Sequence, residues 1–401
     1  NDSFLGGKFY DSSGNEMQEP SKESLATFTR ITKISERRYA NDDDVASDLG
    51  YRAAVKALEA SGIDKEKLDY ILFAHNFGDI TVDSMRTDIV PTLATRVKGK
   101  LGIKNRKTEP RDVPFGCPGW VQTLIDANRY FKAGEGSKAL TIAAETLSRV
   151  TDHCDRDGPI YADGGGAAVV QHLEFDTKKG FLNYDLDCGD ATENVRGKPK
   201  KVFQIMGMGQ TYGPNKDGRL YFKMQDGSDV FTYAKRNVPP VIKGSIDKSG
   251  LHLRDIKLIL LHQANGKMDE AMLMQTLEYY GVKFVRKKDR DLDLYYAERG
   301  ALEKNIHPEV FSGLQGRFGN KDKYEIGEIS SLIMPMTISW LANSSVATVP
   351  TLLDLILRGK FEGYTLREDN NIVLASVGAG GPNANSVVYR MAGCEYPKFK
   401  T

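Results

Sequence analysis

Cysteine is scarce: the 401-residue chain has four, at positions 117, 154, 188 and 394, and no Cys-x-x-Cys pair. Four irregularly spaced thiols make neither a disulfide framework nor a zinc or redox motif. No apolar run approaches the roughly 20 residues that span a bilayer, and no signal-peptide pattern opens the chain. A reducing cytoplasm is therefore the expected setting. Neither sign of charge dominates, with 55 Lys plus Arg against 54 Asp plus Glu. No global field points to nucleic acid or a membrane surface. The run Arg286-Lys287-Lys288-Asp289-Arg290-Asp291 mixes both signs and reads as a solvated face. His153-Cys154-Asp155 has no second ligand cluster in the sequence, so no metal site is expected. The chain opens on Asn1 rather than Met, through a polar, Gly-rich stretch to Pro20, as a chain lacking its native beginning would.

What is present reads as an ordinary globular α/β chain, 40% hydrophobic and 27% charged, long enough for one large or two fused domains. The clearest organisational signal is an internal echo. Ser61-Gly62-Ile63 and a short charged turn lead into Leu68-Asp69-Tyr70-Ile71-Leu72-Phe73-Ala74-His75. Much later, Ser249-Gly250-Leu251 leads with nearly the same spacing into Ile256-Lys257-Leu258-Ile259-Leu260-Leu261-His262. Short aliphatic runs preceded by helical segments are how strands buried on both faces of a parallel sheet look. Two copies predict a duplicated α/β unit rather than a solenoid. Helices are predicted over 45–60, 121–133 and 263–280, and strands over 140–144, 167–170, 371–377 and 386–391. Pro239-Pro240 is placed at or near the start of the second copy's first helix.

Three residues can carry chemistry. Cys117 lies in Phe115-Gly116-Cys117-Pro118-Gly119-Trp120, directly before a predicted helix. There the helix dipole and unpaired N–H groups would favour thiolate, and flanking glycines would let a carbonyl approach the backbone. A small buried cysteine in a turn is the alternative. His262 ends its strand, where open α/β sheets place their sites, and a core-edge or capping histidine fits equally. Asn343, before Ser344-Ser345, is by itself an ordinary N-cap. Asp163-Gly164-Gly165-Gly166-Ala167 and Gly378-Ala379-Gly380-Gly381 lack phosphate-cradle spacing and read as tight turns lining a site.

Together these pieces resemble the β-ketoacyl-acyl carrier protein synthase III family. Gly116-Cys117-Pro118-Gly119-Trp120 looks like its nucleophile motif, with Ala more usual at the flanks. Glu145-Thr146-Leu147-Ser148-Arg149 through Ala162-Asp163-Gly164-Gly165-Gly166 resembles its strand–loop–strand segment. His262-Gln263-Ala264-Asn265 matches its histidine motif letter for letter, and Asn343-Ser344-Ser345 matches its Asn-Thr-Ser. Residues 31–39 resemble its Thr-Gly-Ile-x-Glu-Arg segment. The resemblance runs in order over about 31–391.

It implies a thiolase fold, a duplicated five-layer αβαβα α/β architecture, in a homodimer. The halves would be 1–175, carrying the nucleophile, and 241–401, carrying His and Asn, joined by a pocket-lining segment over 176–240. It further implies a Cys117-His262-Asn343 triad, with an oxyanion hole from the backbone N–H groups of Cys117 and Gly380. Arg156, Asn265, Lys267, Phe231 and Val90 would contact the acyl chain, coenzyme A or carrier. The implied activity is Claisen condensation of a Cys-bound acyl group with a malonyl-type or other carrier-bound nucleophile, in fatty-acid or related metabolism. Acyl carrier protein and acyl-CoA would be the partners, with no cofactor.

Three departures qualify this resemblance. Asn343 lies 343 − 262 = 81 positions after His262, far more than in the family, so residues 282–336 are an insertion, read here as a lid or partner-docking element. Thr27 and Phe28 stand where the family's CoA-stacking tryptophan falls. Val90, before Pro91, stands for the aromatic that crosses from a partner subunit to limit acyl length. The family's first strand also has no counterpart, as in a truncated chain. An acyltransferase or resorcinol-forming ketosynthase of the same fold is the rival within enzymes. A non-catalytic partner subunit is the rival outside them, although such subunits usually lose the nucleophile.

Overall fold

A computed structural model describes residues 8–10, 15–17, 22–83, 86–152, 154–173, 179–189, 193–195, 198–200, 221–222, 227–289, 292–378 and 383–392. In chain order come α1 (Lys22–Thr32), α2 (Ala46–Ser61), β1 (Tyr70–Ala74), α3 (Leu93–Lys100), β2 (Glu109–Val113), α4 (Gly119–Lys132), β3 (Lys138–Thr146) and β4 (Asp163–Gln171). Next are β5 (Gly180–Cys188), β6 (Glu193–Val195), β7 (Lys198–Lys200), α5 (Gly227–Lys248), β8 (Ile256–Leu261) and α6 (Gly266–Tyr279). The chain continues through β9 (Phe284–Asp289), β10 (Leu292–Glu298), α7 (Arg299–Asn305), α8 (Pro308–Phe318), β11 (Lys323–Glu325) and α9 (Ile326–Ile333). Finally come α10 (Ile338–Leu341), α11 (Thr348–Leu357), β12 (Asn371–Gly378) and β13 (Asn383–Arg390).

Two four-stranded sheets carry the architecture, ordered β2-β1-β3-β4 and β5-β13-β12-β8. In the first, β1 runs parallel to β3, and β3 antiparallel to β4. In the second, β8 runs parallel to β12, and β12 antiparallel to β13. The echo in the sequence is thus a repeat in space: α2 leads to β1 as α5 leads to β8, each through a left-handed glycine (Gly62, φ 63°; Gly250, φ 69°) and a short 3-10 turn.

Strand alternation assigns the layers. Ile71 and Phe73 of β1 face α2 and α3, whereas Leu72 faces Ala127 of α4. In β8, Ile259 and Leu261 join the cluster of α5 and α6, while Leu258 and Leu260 meet Trp120 of α4 and Val349 of α11. Helices α4 and α11 are therefore sandwiched between the two sheets, and each touches strands of both. Every strand of this kind is apolar on both sides because each side has a helical layer to bury against.

Two expectations change. Pro239 and Pro240 lie inside the 22-residue α5 rather than at its start. Prolines remove two N–H donors there, but burial of Val230, Tyr233, Ala234, Val238, Val241, Ile242 and Ile246 carries the helix through. The glycines after Asp163 are not a turn but part of β4, where β-carbons at 165 and 166 would strike the Leu49 carbonyl and Pro350.

The described residues of 282–336 form a folded unit. Strands β11-β10-β9 form an antiparallel sheet, with α7, α8 and α9 around it. Leu302, Phe311, Leu314, Tyr324 and Ile329 bury into the same core as Met272 of α6 and Val373 of β12. Of its other aromatics, Tyr295 and Phe318 pack against that core. Among the described residues no helix is long and apolar enough to cross a membrane.

Candidate active site

Cys117, His262 and Asn343 sit at the ends of three elements that meet between the sheets. Cys117 lies two residues before the start of α4, in a turn closed by Gly119 N–H donating to Gly116 O (2.9 Å). Gly119 does not leave room for a substrate: a β-carbon there would stand 2.9 Å from Ala74 Cβ and 3.3 Å from Val346 Cγ1. Its bareness lets α4 pack closely under the turn. His262 leaves β8, with its N–H donating to Ala375 O of β12 (2.9 Å). Asn343 is stitched to the segment before β4, donating to Ile160 O (3.1 Å) and accepting from Ala162 N–H (2.9 Å). Its neighbours Ala342 (φ 55°) and Ser345 (φ 53°) are both left-handed, the kind of held backbone strain that collects at working sites.

One residue ties the three together. Ser345 N–H donates to Asn343 Oδ1 (2.8 Å), and Ser345 Oγ donates to Cys117 Sγ (3.2 Å). Thr348 Oγ1 lies 3.1 Å from Ser345 O and 2.7 Å from His262 Nδ1. With Oδ1 engaged, Asn343 has its Nδ2 as a donor, now 3.5 Å from Ala264 O. Ser345 and Thr348 were not singled out in the sequence, although both fall in the same Asn343-Ser344-Ser345-Val346-Ala347-Thr348 run.

Two further polar residues come to this centre from strand ends. Glu145, on β3 and 1% exposed, accepts from the Asn76 backbone N–H, and Asn76 Nδ2 donates to Ser345 Oγ (2.8 Å). A charged residue closing the apolar run Leu140–Ala144 was the legible sign, since open α/β sheets place sites at strand carboxyl ends.

Burial sets the charges. Cys117 keeps partial exposure as a residue, but its sulfur is enclosed by protein, which pushes the thiol up to about 11 against the Ser345 hydrogen bond that lowers it. The expected lowering by the helix terminus is outweighed by desolvation. Burial takes His262 down to about 3, so its imidazole is neutral. Glu145 is pushed up to about 8, chiefly by burial, against the Asn76 N–H.

The expected binding residues are scattered. Asn265 caps α6, its side chain accepting from Met268 N–H (2.9 Å), and Lys267 is exposed in the first turn of that helix. Phe231 lines a groove of about 480 Å³ between α5 and α6 with Thr232, Lys235, Arg236, Gln275 and Tyr279. Arg156 is exposed and lies 3.5 Å from Asp157. Val90 is 81% exposed. Gly380, His153 and Cys394 lie outside the described residues. Among the described residues no cluster of His, Cys, Asp and Glu could hold a metal ion.

Comparison with known proteins gives a consistent picture. The sequence profile of 3-oxoacyl-[acyl-carrier-protein] synthase III matches residues 111–189. The β-ketoacyl-[acyl-carrier-protein] synthase III of Xanthomonas euvesicatoria pv. vesicatoria (strain 85-10) is 32% identical over 241 residues, 60% of this chain and 68% of that protein. The crystal structure of the Thermus thermophilus synthase III superposes with a TM-score of 0.63 at 24% identity, covering 94% of this chain and 92% of that one. The Pseudomonas aeruginosa PAO1 synthase III gives 0.64 at 22% identity, covering 93% and 94%. At such identities the structures establish a shared fold.

Proposed function

Because the chain belongs to the 3-oxoacyl-[acyl-carrier-protein] synthase III family, we propose that Cys117 carries an acyl group as a thioester while His262 and Asn343 serve carbon–carbon bond formation. The protein is on this footing a Claisen condensing enzyme of fatty-acid or related synthesis. One observation carries the residue assignment: Ser345 bonds Cys117 and Asn343 directly and reaches His262 through Thr348.

In the first half-reaction the Cys117 sulfur attacks the carbonyl carbon of an acyl thioester. The donor's C–S bond breaks, and the donor leaves as a thiol with the proton that Cys117 gives up. The Cys117 N–H, with that of Gly380 by family resemblance, holds the oxyanion. In the second, a malonyl thioester loses carbon dioxide, and the electron pair of the broken C–C bond passes into an enolate. Asn343 Nδ2 and His262 Nε2 donate to the enolate oxygen. A neutral imidazole suits this role, acting as a fixed hydrogen-bond donor rather than an acid. In the resting site the Thr348 hydroxyl donates to Ser345 O, so this step requires its single proton to turn to Nδ1, which leaves the ring proton on Nε2. The enolate carbon then attacks the acyl carbonyl, the bond to Cys117 breaks, and the sulfur takes up a proton.

Acyl carrier protein and acyl-CoA as partners, contacts from Arg156, Asn265, Lys267, Phe231 and Val90, and a homodimer belong to the same proposal. Chromatographic detection of the 3-oxoacyl product from an acyl donor and a malonyl carrier tests the reading: wild type forms it and Cys117→Ala does not. Equal product from both would overturn it.

A further inference from the structure

The sulfur of Cys117 receives a hydrogen bond from the Ser345 hydroxyl, which is itself held from behind by Asn76. A serine hydroxyl has one proton and two acceptor lone pairs. Asn76 Nδ2, 2.8 Å from Ser345 Oγ, can only donate, so it fills one of those lone pairs. The Ser345 proton points to Cys117 Sγ at 3.2 Å, and a negatively charged sulfur can only accept it. Both partners are themselves held. The Asn76 backbone N–H is anchored on the buried carboxyl of Glu145, and Ser345, in its left-handed conformation, is anchored on Asn343 Oδ1.

We propose that Ser345 is a further catalytic residue, whose hydroxyl stabilises negative charge on the Cys117 sulfur, and that Asn76 is the positioning residue that aims it. The sulfur is negative when it attacks the acyl donor and again when the condensed product leaves it. A donor to a charged acceptor is stronger than one to a neutral acceptor, so the contact favours both of these moments over the resting thiol. Burial disfavours the thiolate at this site, and Ser345 is the side chain that opposes burial. Asn76 follows β1 and Ser345 precedes α11, so the device also joins the two halves of the duplicated fold at the nucleophile.

This inference rests on Cys117 being the nucleophile, and its test reads the sulfur without any acyl substrate. The rate of Cys117 alkylation by iodoacetamide is followed from pH 6 to 11 in the full chain, with peptide mass spectrometry assigning the adduct. Ser345→Ala should slow alkylation at neutral pH by about tenfold and move the profile to higher pH. Ser345→Gly should do the same while accepting the left-handed backbone, which guards against a folding failure of the alanine variant. Asn76→Ala should shift the profile the same way by less, and should add nothing once Ser345 is Ala. Profiles of both Ser345 variants lying on that of the wild type would overturn the proposal. So would an Asn76→Ala effect that persists in full without the hydroxyl. A Ser345-dependent profile on a Cys117 that takes no acyl group would keep the hydroxyl's hold on the thiolate but overturn the proposed reaction, and with it the catalytic role of Ser345.

Discussion

Gly378 backs directly onto Cys117: a β-carbon at 378 would stand 2.7 Å from the Cys117 backbone nitrogen and 2.8 Å from its Cβ. The end of β12 and the turn before α4 are therefore one fitted pair. Gly378→Ala must push that turn aside, at an overpacking cost of about 1–3 kcal/mol. Self-acylation should fall at least about tenfold, since an ångström of misplacement is enough for that. Gly316→Ala is the control, because 316 is exposed on α8 with nothing within 4 Å. It should gain about 0.5–1 kcal/mol in thermal or urea unfolding and leave acylation unchanged. Normal acylation of Gly378→Ala would show the fit to be unimportant.

His262 and Asn343 should separate the two half-reactions. His262→Ala and Asn343→Ala remove donors to the enolate, so condensed product should drop by about a hundredfold or more while acyl-enzyme still forms. Thr348→Val should weaken condensation in the same direction by less, because it removes the contacts to His262 Nδ1 and Ser345 O but leaves both enolate donors in place. Single-turnover measurements of each half-reaction read this out. Variants that condense normally would remove both residues from the chemistry.

Glu145 should give the protein a stability that declines with pH. In the folded chain its carboxyl holds the proton to about 8, whereas its ordinary value is 4.5. Folding takes up a proton between those values, so this contribution is full below about 4.5 and is lost as pH rises toward 8. The slope is on the order of 1.4 kcal/mol per unit. Glu145→Gln keeps an acceptor for the Asn76 N–H and removes the charge, so its urea-unfolding stability should be flatter between pH 5 and 8. Parallel curves for variant and wild type would contradict the buried-carboxyl account.

The inserted unit should unfold with the rest of the chain. Tyr324 and Leu302 have no exposure and share a core with α6 and β12. Tyr324→Ala or Leu302→Ala should cost about 2–5 kcal/mol and lower a single cooperative transition. A separate low-temperature transition, with the remainder melting as in wild type, would mark an independent appendage.

The duplicated frame was legible because strands buried on both faces are written as continuous apolar runs: Tyr70–Ala74 and Ile256–Leu261 announced both sheets. Cys117, His262 and Asn343 were legible as motifs at element ends. The residues between them were not. Ser345 acts through a left-handed backbone and Asn76 through a contact 269 positions away in sequence, and neither property has a pattern in a single chain. The glycines after Asp163 misled because bare strand and tight turn share a composition, and only the Leu49 and Pro350 contacts distinguish them. The thiol's direction of shift was misread because helix-terminus stabilisation is a local signal, whereas burial depends on the whole fold.

In the proposed reaction Cys117 is the acylated residue. Intact-mass measurement after incubation with a panel of acyl-CoA and acyl-carrier donors, followed by peptide mapping, tests it most directly. One acyl increment on the peptide containing Cys117, absent from Cys117→Ala, is the expected result. An increment on Cys154, Cys188 or Cys394 that survives Cys117→Ala would contradict the account.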